Sequence, residues 1–149
     1  MNAPLYNRDI LRLAASIPHH QRLIDPQASV VKRSMTCGSR VIADVRVDAR
    51  ACLIDLGLEV RACALGQASA SLMASHAIGK SLEELVAARD ALADWLAGQG
   101  DTLDSTPDFW PGFDLITPAR NYPARHPSIR LGFEAVAEAM AIAAGQSAP

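Results

Sequence analysis

Residues 40–61 read RVIADVRVDARACLIDLGLEVR, and the alternation inside this stretch decides the fold. Val41, Ala43, Val45 and Val47 fall on one side of an extended chain, and Arg40, Asp44, Arg46 and Asp48 on the other, which predicts a half-buried strand. Cys52, Ile54, Leu56, Leu58 and Val60 repeat the pattern against Leu53, Asp55, Gly57, Glu59 and Arg61, so a second strand of similar length follows. An antiparallel pair keeps both apolar sets on one face only if paired residue numbers sum to an odd value. A sum of 99 sets Val47 opposite Cys52 and Val41 opposite Leu58, with Ala49-Arg50 as the turn. Ala28 to Ser34 is the candidate third strand.

Outside the strands the pattern turns helical. Leu5 to Ser16 carries Leu5, Ile10, Leu13 and Ala14 near one stripe and stops before Pro18. Ala64 to Ala77 is rich in Ala, Ser and Leu without Pro, suiting a helix that lies close to a sheet, and Gly79 ends it. Ser81-Leu82-Glu83-Glu84 is a capping box. The helix it opens puts Leu82, Leu85, Val86, Leu92, Trp95 and Leu96 on one face and ends before Gly98. Asp101 to Tyr122 is irregular, with one short helix expected around Thr106 to Ile116. Pro127 then opens a last helix, marked by Ile129, Phe133, Val136 and Met140, that runs towards Ala144. The 149 residues fit one domain, 1–149, with no repeat and no linker.

Composition narrows the function. Fourteen Lys+Arg against 16 Asp+Glu give a net charge of -2, which argues against a nucleic-acid binder. No apolar run reaches the roughly 18 residues that a membrane span needs, and Met1 to Tyr6 lacks the charged start of a signal peptide, so a cytoplasmic chain with no membrane partner is expected. Three cysteines are too few for a disulfide framework. No glycine-rich phosphate loop, Gly-x-Ser-x-Gly elbow or Cys-x-x-Cys pair is present.

The cysteines separate by position. In the 99 register Cys37 falls opposite Ala62, so Cys37 and Cys63 are neighbours at the open end of the ribbon. Cys52 belongs at the turn, roughly 35 Å from Cys63 at roughly 3.3 Å per residue, where it reads as a small buried hydrophobe. Cys63 directly precedes the helix that starts at Ala64, so the unpaired N–H groups of the first turn lie beside it. Gly38 allows a tight loop after Cys37. A metal site, a reactive dithiol and two structural thiols all fit these facts. His19 and His20 read as solvated. His76 is almost four helical turns beyond Cys63, too far for a Cys-His pair. Arg120, Arg125 and Arg130 read as a solvated face, and Trp95 and Phe133 as core.

Thr36-Cys37-Gly38, the hairpin, Cys63-Ala64-Leu65-Gly66-Gln67-Ala68-Ser69-Ala70-Ser71-Leu72-Met73 and Gly79-Lys80-Ser81-Leu82-Glu83-Glu84 together resemble the iron-sulfur cluster assembly scaffolds of the NifU N-terminal, IscU and SufU type, most closely the SufU branch. The likeness runs from near Tyr6 to the last helix. It implies an α+β fold, a small antiparallel sheet of about three strands covered by helices, with ligands from three loops meeting at one end. It also implies a non-enzymatic role in which Cys37 and Cys63 bind iron or a cluster, or accept sulfur, and pass it on. The partners implied are a cysteine desulfurase and cluster-accepting apoproteins. Family members carry a Cys-Gly-Asp and a third cysteine at the last helix, whereas this chain has Ser39 and Ser128 at those positions. Serine hydroxyls are poor ligands for iron or zinc beside thiolate, imidazole or carboxylate. His126, two residues before Ser128, is the candidate replacement ligand, and Arg125 follows the family's Pro-x-Arg pattern as a supporting charge. Three cargo states follow: iron or an iron-sulfur cluster, including one shared across a homodimer; zinc; or none. In the last case the chain is a degenerate member acting as an interaction or regulatory partner of a desulfurase.

Overall fold

The computed structural model describes residues 6–35, 38–98 and 108–145. Helix α1 (Arg8–Ala15) is capped by Asn7, whose side chain accepts from the Ile10 N–H at 2.9 Å, and buries Ile10. Leu5, placed in this helix by the sequence pattern, lies outside the described residues. Strands β1 (Ala28–Arg33), β2 (Arg40–Val47) and β3 (Leu53–Arg61) form an antiparallel sheet in that order. Helix α2 (Ala64–Ala77) leaves β3 directly, and α3 (Leu82–Leu96) and α4 (His126–Ala143) follow. An α+β fold with a three-stranded sheet is therefore present.

Helix α4 crosses the inner face of β1 and β2, α2 lies against β3, α3 packs on α4, and α1 on α2. Helix α2 is thus enclosed by other elements, which is why Ala68, Ser69, Ala70, Ser71 and Leu72 are buried at successive positions instead of along one stripe. Its small residues permit the approach of α4: a Cβ on Gly132 would meet Ala70 at 3.6 Å, and Ser69 Oγ donates to the Ile129 carbonyl at 2.6 Å. Trp95 and Phe133 are core, as expected. The capping box at Ser81 is complete, with Ser81 Oγ accepting from the Glu84 N–H and Glu84 Oε1 from the Ser81 N–H.

The hairpin register differs from the expected one. Val41 pairs with Val60 and Val45 with Leu56, so the sum is 101, and the register shifts between Arg46 and Val47, where Val47 pairs with Leu53. The cause is the turn. Ala49, Arg50 and Ala51 form a three-residue loop in which Ala51 takes the left-handed conformation at φ 62, while Asp48 Oδ1 accepts from the Arg50 and Cys52 N–H groups, both at 2.9 Å. An odd-length loop gives an even sum, and the bulge adds the one residue that restores inward alternation farther along. Near the turn it reverses the predicted faces: Leu53 is buried and Ile54 is 53% exposed. Cys52 is only half-buried, in a bridge to Ser81 beside the turn, and not the core thiol expected.

The outer edge of β3 is covered by the chain before β1. The Leu58 N–H is shared by the His19 and Gln21 carbonyls, at 2.9 and 3.1 Å, and the Val60 N–H donates to His20 Nε2 at 3.3 Å. His19 and His20 are therefore structural in part, although both are exposed. Gly57 makes the crossing feasible, since a Cβ there would stand 2.5 Å from the Gln21 carbonyl and 2.8 Å from the Leu23 nitrogen. Opposite Gly57, the fully buried Asp44 anchors this strap. It accepts from Arg22 Nε at 2.7 Å, the Leu23 N–H at 2.9 Å and Ser29 Oγ at 2.6 Å. Burial pushes the Asp44 pKa up, but the hydrogen bonds from Arg22, Ser29 and Leu23 and the Arg22 charge outweigh it and hold the carboxyl below its usual 3.8.

The segment before α4 also differs from expectation. The short helix expected around Thr106 to Ile116 is a 3-10 segment at Phe113–Asn121, starting after Gly112 at φ 91, and Thr106 lies outside the described residues. Arg120 is buried and not on a solvated face. Its Nε donates to the Trp95 carbonyl at 2.8 Å and its guanidinium stacks 5.1 Å from the Trp95 ring.

Candidate functional site

Three chain segments converge at the end of the sheet remote from the hairpin turn: the residues entering β2, the β3–α2 junction and the start of α4. Cys63 is the N-cap of α2, extended at φ -64 and ψ 168, and its side chain caps nothing. Its half-buried Sγ therefore remains available at the helix N-terminus, 3.5 Å from Ser128 Oγ. Ser128, in the first turn of α4, lies 3.0 Å from Ser39 Oγ, and both hydroxyls are buried. Ser39 in turn holds the loop before β2, its carbonyl accepting from the Ser34 N–H at 2.8 Å, with Gly38 left-handed at φ 73. Cys63, Ser39 and Ser128 are thus one contiguous group. Cys37 lies outside the described residues, and so does its expected place opposite Ala62; the described ladder ends at Arg40↔Arg61.

The close approach of α4 rests on Gly66, one turn into α2. A Cβ there would run into Ser128 Oγ and stand 2.9 Å from Ala62 Cβ and 3.2 Å from the Ser128 carbonyl. Sequence reasoning did not single out Gly66. Its only signal was a glycine in the first turn of an Ala/Ser-rich helix, where propensity would favour alanine.

His126 begins α4, with Nε2 3.1 Å from the Ala119 carbonyl and 3.2 Å from the Arg120 carbonyl. Nε2 is thus the protonated, donating nitrogen, which leaves Nδ1 as the atom able to ligate. Arg125 is half-buried just ahead of it. Among the described residues no three His, Cys, Asp or Glu side chains gather as a metal set. The donors that do gather are one thiol and two hydroxyls, so a cluster held here needs a thiolate from beyond this group, and Cys37 is the cysteine next to the Gly38–Ser39 loop.

The chain belongs to the NifU-like N terminal domain family, which matches residues 5–104. It is 32% identical over 82 residues to the iron-sulfur cluster assembly scaffold protein IscU of Streptococcus pyogenes serotype M1, a match covering 55% of this chain and spanning about half, 51%, of that relative. Its fold is similar to that of a nitrogen-fixing NifU-like protein (N-terminal) from Brucella abortus, with TM-score 0.82, 35% identity and 95% of each chain covered. It is also similar to a protein described as a SUF-system iron-sulfur cluster assembly scaffold from Fervidobacterium islandicum AW-1. There the TM-score is 0.80 at 19% identity, over 91% of this chain and 96% of the other, a likeness of fold alone. Among the described residues no helix is long and apolar enough to cross a membrane.

Proposed function

We propose that this chain folds as one domain and serves as an iron-sulfur cluster assembly scaffold, acting by binding and transfer and not by turnover of a metabolite. Iron, sulfur or an assembled cluster is its cargo. Cys63 and Cys37 are the residues assigned to accept it, with His126 Nδ1 a candidate third donor and Arg125 a supporting charge. A cysteine desulfurase is the expected sulfur donor, apoproteins are the acceptors, and the cytoplasm is the expected compartment. The observation carrying this reading is the uncapped Cys63 Sγ at the start of α2, 3.5 Å from Ser128 at the start of α4, where three segments meet. Two thiolates per chain would complete a [2Fe-2S] centre across a homodimer, so iron-dependent dimerisation is expected.

Anaerobic reconstitution with iron, cysteine and a desulfurase tests the reading. Visible charge-transfer bands with matched iron and acid-labile sulfide, lost in Cys63→Ser, are expected. A colourless chain without iron would overturn it. The 3.0 Å contact between Ser39 and Ser128, a hydrogen-bonded pair where the family resemblance leads one to expect ligands, favours a second reading: a metal-free partner of the desulfurase. Retention of desulfurase binding by the Cys37→Ala, Cys63→Ala variant, together with failed reconstitution of the wild type, would select it.

A further inference from the structure

The register sets Arg33 opposite Arg40 and Arg40 opposite Arg61, so three arginines stand side by side across all three strands. Directly opposed residues share a face, and Arg40 alternates with the inward Val41, so the row lies on the outer face of the sheet. Arg33 and Arg61 are exposed. Arg40 is partly covered and gives one guanidinium nitrogen to Glu59 at 2.7 Å. Like charges directly opposite one another destabilise a sheet, so the fold gains nothing from this arrangement. In a chain of net charge -2 it concentrates three cations, offset by one carboxylate, within about two strand spacings, or about 10 Å.

The row abuts the candidate site. Arg40 follows Ser39, and Arg61 precedes Cys63 by two residues at the same end of the sheet. Val31, in the next position along β1 on the same face, is 51% exposed, and Met35, just beyond β1, is 94% exposed. Exposed arginines on a flat strand surface beside apolar side chains suit a protein face, and about 10 Å of positive charge is too short to track a polynucleotide backbone. We infer that the Arg33–Arg40–Arg61 row is the docking surface for a carboxylate-rich face of the desulfurase, orienting it so that its sulfur reaches Cys63. This deepens the scaffold reading and rests on it for the identity of the partner.

The test is the dissociation constant for the cysteine desulfurase encoded in the same genome, measured at low and high salt with wild type, Arg33→Gln/Arg61→Gln and Arg33→Glu/Arg61→Glu. Weakening of about tenfold or more in the Glu variant, a smaller loss in the Gln variant, and a flattened salt dependence in both are expected. Arg8→Glu/Arg50→Glu, at exposed positions in α1 and in the hairpin turn, makes the same change in net charge and serves as the control. Unchanged affinity in the row variants, an equal loss in the control, or tight binding of a single-stranded oligonucleotide through the same arginines would each overturn the inference. Uptake of iron and sulfide from free salts by the wild type is measured separately, so failure of the cargo reading stays distinct from failure of docking.

Discussion

Replacing Gly66 with alanine tests whether the contact between α2 and α4 sets the geometry around Cys63. On helix propensity alone the change should stabilise by up to about 1 kcal/mol. The structure predicts the opposite sign. The new Cβ would overlap Ser128 Oγ, which is buried between Ser39 Oγ at 3.0 Å and Cys63 Sγ at 3.5 Å, and it would crowd Ala62 Cβ at 2.9 Å. Relief requires either rotating the serine, which gives up a buried hydrogen bond at about 1–3 kcal/mol, or backing α4 away, an overpacking cost of about 1–3 kcal/mol. At the middle of its range either route costs about 2 kcal/mol, more than the propensity gain, so a net loss of about 1 kcal/mol is expected, read as a lower urea midpoint at unchanged slope. In a Ser128→Ala background the same substitution loses its worst contact, and its cost should fall by about 1 kcal/mol. A Gly66→Ala protein as stable as wild type, or additivity of the two substitutions, would refute the claim that this glycine holds the site together.

Further predictions concern the strap, a helix cap and the ligand positions. Because the folded Asp44 pKa is depressed, its stabilisation is fully present above the unfolded value near 3.8 and is lost as pH falls through the lower folded value. Asp44→Asn should cost about 2 kcal/mol at neutral pH and flatten the acid limb of a stability-versus-pH curve. Ser81→Ala removes half of the capping box and should cost about 1 kcal/mol by thermal or urea melting. Ser128→Cys places a second thiol beside Cys63 and should tighten zinc binding in competition with a chromophoric chelator; affinity equal to wild type would mean that this position does not face the cargo.

Strand identity was legible because alternation survives everywhere except beside the turn, and α2 and the α3 cap were legible because their residues are locally decisive. The register was not. It depends on Ala51 adopting a left-handed conformation that nothing in an alanine announces, and on a bulge that moves Leu53 inward in place of Ile54. Arg120 was misjudged because its partner, the Trp95 carbonyl, is tertiary and 25 residues away. At the site, Cys63, Ser39 and Ser128 could be brought together from the family resemblance, whereas Gly66 and the arginine row needed coordinates. The first is a steric fact between two helices, and the second exists only once the 101 register is known.

The strap over β3 also limits how this sheet can grow. Its crossing residues use the N–H of Leu58 and, through His20, that of Val60, while Gly79 and Lys80 take up both backbone groups of Leu53 nearer the turn. A foreign strand arriving at that side would find these N–H donors already taken. Among the described residues no strand pairs with the outer edge of β1. There Lys32 is tied to Glu138 at 2.8 Å and Arg33 carries an exposed charge, the kind of side chains that discourage edge-to-edge aggregation. The molecule is thus closed to strand exchange on one flank by its own chain and guarded on the other by charge.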